Sequence, residues 1–130
     1  MTRRAPRVSL FIILAICLLL PRARDQARAH AILLESSPAD GAILAEAPSY
    51  ISLRYNSRLE KSLSRVTLIF EDGRRVNLPG DSPHQDASPG ELRIPLPPLP
   101  PGAYILRLTV VAADGHATAG VVRFRIATPR

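Results

Sequence analysis

The chain has 130 residues, a length that allows one domain, and a formal net charge of +6 at pH 7. The excess charge lies in residues 1–29, which hold six arginines and one acid, whereas residues 30–130 hold 11 basic and 10 acidic residues and carry a net charge of only +1. Residues 30–130 contain no basic segment with interleaved aromatic residues, which argues against a nucleic acid as partner.

Residues 1–29 have the three parts of a secretory signal peptide. Three arginines form a basic start, residues 8–20 form an apolar run, and an Ala-Arg-Ala sequence stands directly before His30. The apolar run is shorter than the ~20 residues needed to span a bilayer. We therefore predict a signal peptide that is cleaved after Ala29, followed by one secreted domain over residues 30–130.

The only cysteine and the only methionine, Cys17 and Met1, both belong to the predicted signal peptide. The mature chain therefore has no disulfide framework and no thiolate metal site. A domain of this size removes about 60–65% of its surface from water on folding, so a metal is not needed for it to fold.

Apolar and polar residues alternate in several short stretches, which predicts half-buried β-strands. The predicted strands cover residues 31–34, 50–55, 66–70, 75–78, 91–96, 103–111 and 120–126. The Asp-Gly pair at 72–73 predicts a hairpin, and Pro95 places its strand at a sheet edge. Residues 59–63 could form one helical turn. Short strands with frequent turns predict an all-β fold, an antiparallel sandwich or barrel.

Asp114-Gly115-His116 lies between the two longest apolar strands. A carboxylate and an imidazole at this spacing can bind one metal ion, although an Asp-Gly pair is also an ordinary turn sequence. His30 is the first residue after the predicted cleavage and is the candidate third ligand. The alternative for His30 is a disordered terminal residue.

Several short sequence motifs follow one another along the mature chain. They are His30-Ala31, Ser37-Pro38-Ala39-Asp40-Gly41-Ala42, Ala47-Pro48, Leu53-Arg54-Tyr55, Pro101-Gly102-Ala103-Tyr104, Asp114-x-His116, Gly120 and Phe124. With these features, the mature chain resembles the CopC/PcoC family of periplasmic copper-binding proteins over essentially its whole length. The resemblance implies a Greek-key β-barrel or sandwich of at least seven strands (cupredoxin/Ig-like), a periplasmic location, a Cu(II) site and a role in copper resistance.

The chain departs from the family in three places. Many members have a methionine-rich segment that binds Cu(I), and the mature chain has no methionine, so we predict no Cu(I) site. A tryptophan common on the long strand is Leu108 here, and a glutamate found near the metal in some members corresponds to Ser57, a poor copper ligand. The predicted copper ligands are therefore His30, Asp114 and His116.

The donor set suits Cu(II). A free N-terminal histidine can bind through its α-amine and its imidazole Nδ1 in a six-membered chelate ring. His116 adds a third nitrogen and Asp114 an oxygen, and Cu(II) heads the affinity order of divalent ions for such donors. The amine must lose a proton to bind, from a pKa of about 7.7–8.0, so affinity is expected to fall in acid.

The leading hypothesis is a monomeric periplasmic protein that is not an enzyme. It would store Cu(II) or deliver it to a separate CopD-like inner-membrane copper transporter. The alternatives are a copper-brace oxidative enzyme, similar to polysaccharide monooxygenases, and a metal-free structural β-sandwich. His84, Asp81 and Asp86 are predicted to be solvated loop residues, and Arg123 and Arg125 to lie on a solvated strand face.

Overall fold

Two β-sheets pack face to face in the computed structural model, which describes residues 30–80 and 87–130. The predicted signal peptide, its cleavage site and the predicted loop residues Asp81, His84 and Asp86 lie outside the described residues. The strands are β1 (Leu33–Ser37), β2 (Ala42–Leu44), β3 (Tyr50–Tyr55), β4 (Arg65–Phe70), β5 (Arg75–Val76), β6 (Glu91–Pro95), β7 (Gly102–Val111) and β8 (Ala117–Ile126). One sheet has the order β1-β3-β6 and the other β2-β8-β7-β4-β5. The predicted all-β sandwich is confirmed.

The core lies between the sheets and is built from alternate residues of the strands. On β7, every second side chain from Tyr104 to Val110 is buried, and on β3 Ile51 and Leu53 are fully buried. Burying one such aliphatic side chain contributes about 1.5–3 kcal/mol. The predicted strands over 50–55 and 103–111 are confirmed as β3 and β7. Both could be recognised from the sequence, since buried and exposed side chains alternate along each of them. Among the described residues, none forms a helix of the length and apolarity needed to cross a membrane.

Three strand predictions need correction at their bounds, and one strand was missed. β1 spans Leu33–Ser37 rather than residues 31–34, β5 ends at Val76 rather than 78, and β8 begins at Ala117 rather than 120. β2 was not predicted, and it pairs with β8 in parallel, so the sandwich is not wholly antiparallel. Its three residues are too few to show an alternating pattern. Tertiary hydrogen bonds hold it instead, among them one from the Gly41 N–H to the carbonyl of Arg123 at 2.7 Å.

Gly102 opens β7 beside an aromatic cluster. The Tyr104 ring lies 5.1 Å from the Phe70 ring and 5.3 Å from the Phe124 ring, centroid to centroid. Gly102 has a φ of +145°, and a Cβ there would overlap Cε2 of Phe70. The residue must therefore be glycine for both backbone and packing reasons.

We expect Gly102→Ala to lower the free energy of unfolding by about 2–5 kcal/mol, since it adds overpacking to a disfavoured φ. Gly73→Ala is the matched control, because Gly73 has a φ of +87° but open space around its Cβ position. The control is expected to cost about 1–2 kcal/mol. Urea denaturation measures both, and equal losses would contradict the proposed clash with Phe70.

Candidate metal centre

The candidate ligands Asp114 and His116 lie in the loop that joins β7 to β8. The last pair of the hairpin is Val111 and Ala117. Inside the loop, the N–H of Ala112 donates to the carbonyl of His116 at 2.9 Å, and the N–H of Gly115 donates to the carbonyl of Ala112 at 2.8 Å. Gly115 has a φ of +88°, a conformation that glycine adopts without penalty. The loop is therefore a tight turn that is closed by its own main-chain hydrogen bonds.

Asp114 and His116 contact each other directly. Oδ1 of Asp114 accepts a hydrogen bond from the main-chain N–H of His116 at 3.0 Å and lies 3.2 Å from Nδ1 of the same residue. Both side chains remain accessible, with 42% of Asp114 and 58% of His116 exposed. The main-chain hydrogen bond is the principal reason that the pKa of Asp114 lies below its usual range. The motif is thus a turn, and its two side chains are still open to a ligand.

His30 lies against His116. Their ring centroids are 5.9 Å apart, and the ring planes are inclined by 42°. A first-row divalent ion lies about 2.0 Å from a histidine nitrogen, so two imidazoles on one ion have centroids no more than about 6 Å apart. The structure therefore brings together two of the three predicted ligands, which are 86 positions apart in the sequence, at a distance that one ion can bridge.

The chain next to His30 is anchored to the domain. Ala31 is 1% exposed and belongs to the core. Ile32 exchanges two hydrogen bonds with Asn56, because its N–H donates to Oδ1 of Asn56 at 2.8 Å and its carbonyl accepts from the Asn56 N–H at 3.1 Å. His30 is consequently one residue from a buried position, and its backbone has little freedom to move away from the loop.

The segment that follows β3, residues 56–64, also contacts the loop between β7 and β8. The carbonyl of Arg58 accepts from the N–H of Ala113 at 3.0 Å. Leu59 forms a β-bridge with Ala112. The N–H of Val111 donates to the buried Ser64 hydroxyl at 3.1 Å. One short segment therefore positions both halves of the candidate site.

The structure does not bring all predicted ligands together as a group. Within residues 30–80 and 87–130, no three side chains of His, Cys, Asp or Glu lie close enough to hold a metal ion. The Asp114 carboxylate is bonded to its own loop, and the nitrogen of His30 is an amide joined to Ala29 in the 130-residue chain. Ser57 lies in the same connecting segment, and its buried hydroxyl has no hydrogen-bond partner among the described residues.

Sequence reasoning missed Asn56 and Ser64, which bind the backbone on either side of the candidate ligands. Each acts on backbone far away in the chain, at sequence separations of 24 and 47 residues. A polar residue directly after a strand is a weak signal, because such residues are common in turns. Only the three-dimensional path of the connecting segment reveals their contribution.

The lowered pKa of Asp114 predicts a contribution to stability in the metal-free protein. A carboxyl whose folded pKa lies below its unfolded value stabilises the fold above that value, and the contribution is lost as pH falls through the folded pKa. We expect the unfolding free energy of Asp114→Asn to fall less steeply than that of the wild type between about pH 5 and pH 2. Urea denaturation at several pH values measures the slopes, and parallel slopes would contradict the expectation.

Comparison with known proteins identifies the family. The family model described as the CopC domain matches residues 33–127. Protein YobA of Escherichia coli (strain K12) is 32% identical over 100 residues, which cover 75% of this chain and 79% of YobA. The copper transport protein CutJ of Bacillus subtilis (strain 168) is 28% identical over 99 residues; these cover 75% of this chain, which spans only 18% of CutJ.

Solved structures agree with the sequence matches. CopC from Methylosinus trichosporium OB3b has a TM-score of 0.67 at 27% identity, covering 75% of this chain and 94% of that protein. PcoC, a methionine-rich copper resistance protein from Escherichia coli, has a TM-score of 0.63 at 28% identity, covering 75% of this chain and 99% of PcoC. The matched domain includes Asp114 and His116 and begins three residues after His30. The chain therefore belongs to the CopC family of copper resistance proteins.

Proposed function

We propose that the exported chain carries one Cu(II) ion, bound by the α-amine and imidazole of His30, the imidazole of His116 and the carboxylate of Asp114. The observation that carries the proposal is the 5.9 Å separation of the two imidazole rings. CopC family proteins bind copper, and the donors of this pair are the type that Cu(II) prefers.

Proteolysis completes the proposed site. Cleavage after Ala29 in the periplasm converts the amide nitrogen of His30 into a free amine next to an imidazole that already lies beside His116. On metal binding, the carboxylate of Asp114 would exchange its contact with Nδ1 of His116 for the ion. The anchoring of Ala31 in the core supports this order of events, because the new N-terminus is held near the loop before any metal arrives.

The accessibility of the ligands supports a carrier. More than half of the His116 side chain and two fifths of Asp114 are exposed, so a ligand from another protein could approach a bound ion and take it. CopC family proteins are generally copper-binding carriers rather than enzymes, and we propose the same for this chain. The proposed acceptor is a separate CopD-like copper transporter of the inner membrane. The match to CutJ, whose name states copper transport, supports a role in copper transport.

Asn56→Ala tests whether the anchored N-terminal segment supports the site. The change removes the acceptor for the Ile32 N–H and lets His30 move away from His116. We expect the Cu(II) affinity of the exported protein to fall about 10-fold or more, the loss typical for a residue that orients a metal ligand. Competition with a chelator of known affinity measures the change.

Asn77→Ala is the matched control, because Asn77 is an exposed residue that directly follows β5. We expect the control to bind copper as the wild type does. If Asn56→Ala and the wild type bound Cu(II) equally well, His30 would not depend on this anchor for its position in the site.

A further inference from the structure

The outer face of the five-stranded sheet is strongly basic. We call the outward-facing residues of β2, β4, β5, β7 and β8 the arginine face. These five strands contain five arginines and no aspartate or glutamate. All five arginines are exposed, and they are Arg65, Arg75, Arg107, Arg123 and Arg125. Although residues 30–130 are nearly neutral as a whole, their positive charge is therefore concentrated on one side of the sandwich.

The strand register places these arginines in a diagonal stripe. Arg65 on β4 pairs with Thr109, two residues along β7 from Arg107. Arg107 pairs with Val121, two residues along β8 from Arg123. Diagonal neighbours on adjacent strands lie about 7–8 Å apart. Like charges on neighbouring strands repel one another, and an external anion bound between them would relieve this repulsion.

Among the described residues, the acidic partners of the arginine face lie at its rim. Oδ1 of Asp40, which precedes β2, is 3.9 Å from Arg123, and Oε2 of Glu71, which follows β4, is 3.7 Å from Arg125. Neither Arg65 nor Arg107 forms an ion pair with any residue that the structure describes. No carboxylate among residues 30–80 and 87–130 therefore neutralises the centre of the stripe.

The arginines on the outer face of the three-stranded sheet, in contrast, have partners within that sheet. There, Arg54 forms an ion pair with Glu35 at 2.7 Å, and the guanidinium of Arg93 lies over the ring of Tyr50, 4.3 Å from its centroid. Each arginine of that sheet thus has a partner within the sheet. This second face provides a control surface within the same molecule.

Aliphatic side chains interrupt the arginine face. Ile43 is 74% exposed and Val121 is 40% exposed, and they lie beside Arg125 and Arg107 in the register. A flat sheet face that combines guanidinium groups with aliphatic side chains matches the boundary between lipid headgroups and acyl chains. The planar guanidinium group can also bind phosphate oxygens through two parallel hydrogen bonds.

We propose that the arginine face docks the protein on a bilayer surface that contains anionic phospholipids. A lipid surface fits better than an acidic protein, because the stripe crosses three strands of an open sheet and mobile headgroups can adjust to its spacing. Docking would hold the protein at the membrane without any covalent anchor. The proposal does not depend on copper binding, since none of the arginines is a candidate ligand.

Co-sedimentation with lipid vesicles tests the proposal. The exported protein is mixed with vesicles of phosphatidylcholine alone or of phosphatidylcholine with phosphatidylglycerol, at low salt and at 0.5 M salt, a concentration of about three times the physiological level. We expect binding only to the anionic vesicles and only at low salt. Arg65→Gln/Arg107→Gln is expected to weaken that binding about 10-fold or more, since each arginine near an anionic surface contributes about fivefold.

Arg54→Gln/Arg93→Gln is the matched control, because it removes the same charge from the opposite sheet. We expect it to bind the anionic vesicles within about twofold of the wild type, because its lost charges face away from the bilayer. Equal weakening in the two variants, or no binding to anionic vesicles, would overturn the proposal. Retention on immobilised polyglutamate without vesicle binding would overturn it in favour of an acidic protein partner.

Discussion

Two residues inserted before His30 are expected to lower the Cu(II) affinity of the exported protein by at least about 100-fold, more than the loss of a residue that only orients a ligand. The insertion is Ala-Pro between Ala29 and His30, so that cleavage produces an Ala-Pro N-terminus. The α-amine then no longer belongs to the residue that carries the imidazole, and the chelate ring is lost. Proline is chosen because it has no N–H, which prevents its nitrogen from becoming a substitute metal ligand.

The control for this experiment carries the same Ala-Pro addition after Arg130, which leaves the N-terminus intact. Chelator competition at pH 7 measures both proteins, and intact-mass analysis identifies the first residue of each. We expect the C-terminal addition to have no effect on affinity. Equal affinities for the two proteins would show that the amine of His30 does not bind copper.

His116→Ala is expected to lower Cu(II) affinity by at least about 100-fold as well, because it removes a direct nitrogen ligand. The loop itself should survive, since the main-chain N–H that donates to Asp114 is still present. We expect the free energy of unfolding of the metal-free protein to change by no more than about 0.5 kcal/mol. This combination separates a ligand from a structural residue.

His84→Ala is the matched control for His116→Ala, because the sequence predicts that His84 is a solvated loop residue. We expect its Cu(II) affinity to stay within about twofold of the wild type, since a solvated side chain makes no contact that a metal site needs. An equal loss of affinity in the two variants would show that His84 also contributes to copper binding. Isothermal titration of both proteins with a copper–chelator complex decides between these outcomes.

Local patterns in the sequence were sufficient for most of the fold. β3 and β7 could be predicted because one face of each is buried along the whole strand, so the alternation is visible in the letters. β2 could not be predicted, because three residues show no period and the strand is held by hydrogen bonds to β8. The ends of β1, β5 and β8 were also predicted wrongly, because a strand end of two or three residues shows no alternating pattern either.

For the candidate site, sequence reasoning found the proposed ligands but not the residues that hold the neighbouring backbone in place. Asp114 and His116 share a turn, and the sequence shows a carboxylate and an imidazole separated by a single glycine. His30 was added from the predicted cleavage and the family resemblance, and its ring does lie beside that of His116. The role of Asn56 depends on how two distant segments meet, so no local pattern could reveal it.

The clustering of charge on the arginine face could likewise not be predicted from the sequence. Arg123 and Arg125 were predicted to lie on a solvated strand face, and both are exposed. Their association with Arg65 and Arg107 follows from the order of strands in the sheet, which places β4, β7 and β8 side by side. The composition of residues 30–130 cannot show this, because acidic residues elsewhere in the domain balance the total charge.

The most direct test of the proposed site is electron paramagnetic resonance of the exported protein with one equivalent of Cu(II). Pulsed measurements count the nitrogen atoms bound to the ion and distinguish the amine from the imidazoles. We predict a single tetragonal Cu(II) species with three nitrogen ligands, one amine from His30 and two imidazoles from His30 and His116. A spectrum without the amine nitrogen, or with several species at one equivalent of copper, would contradict the account.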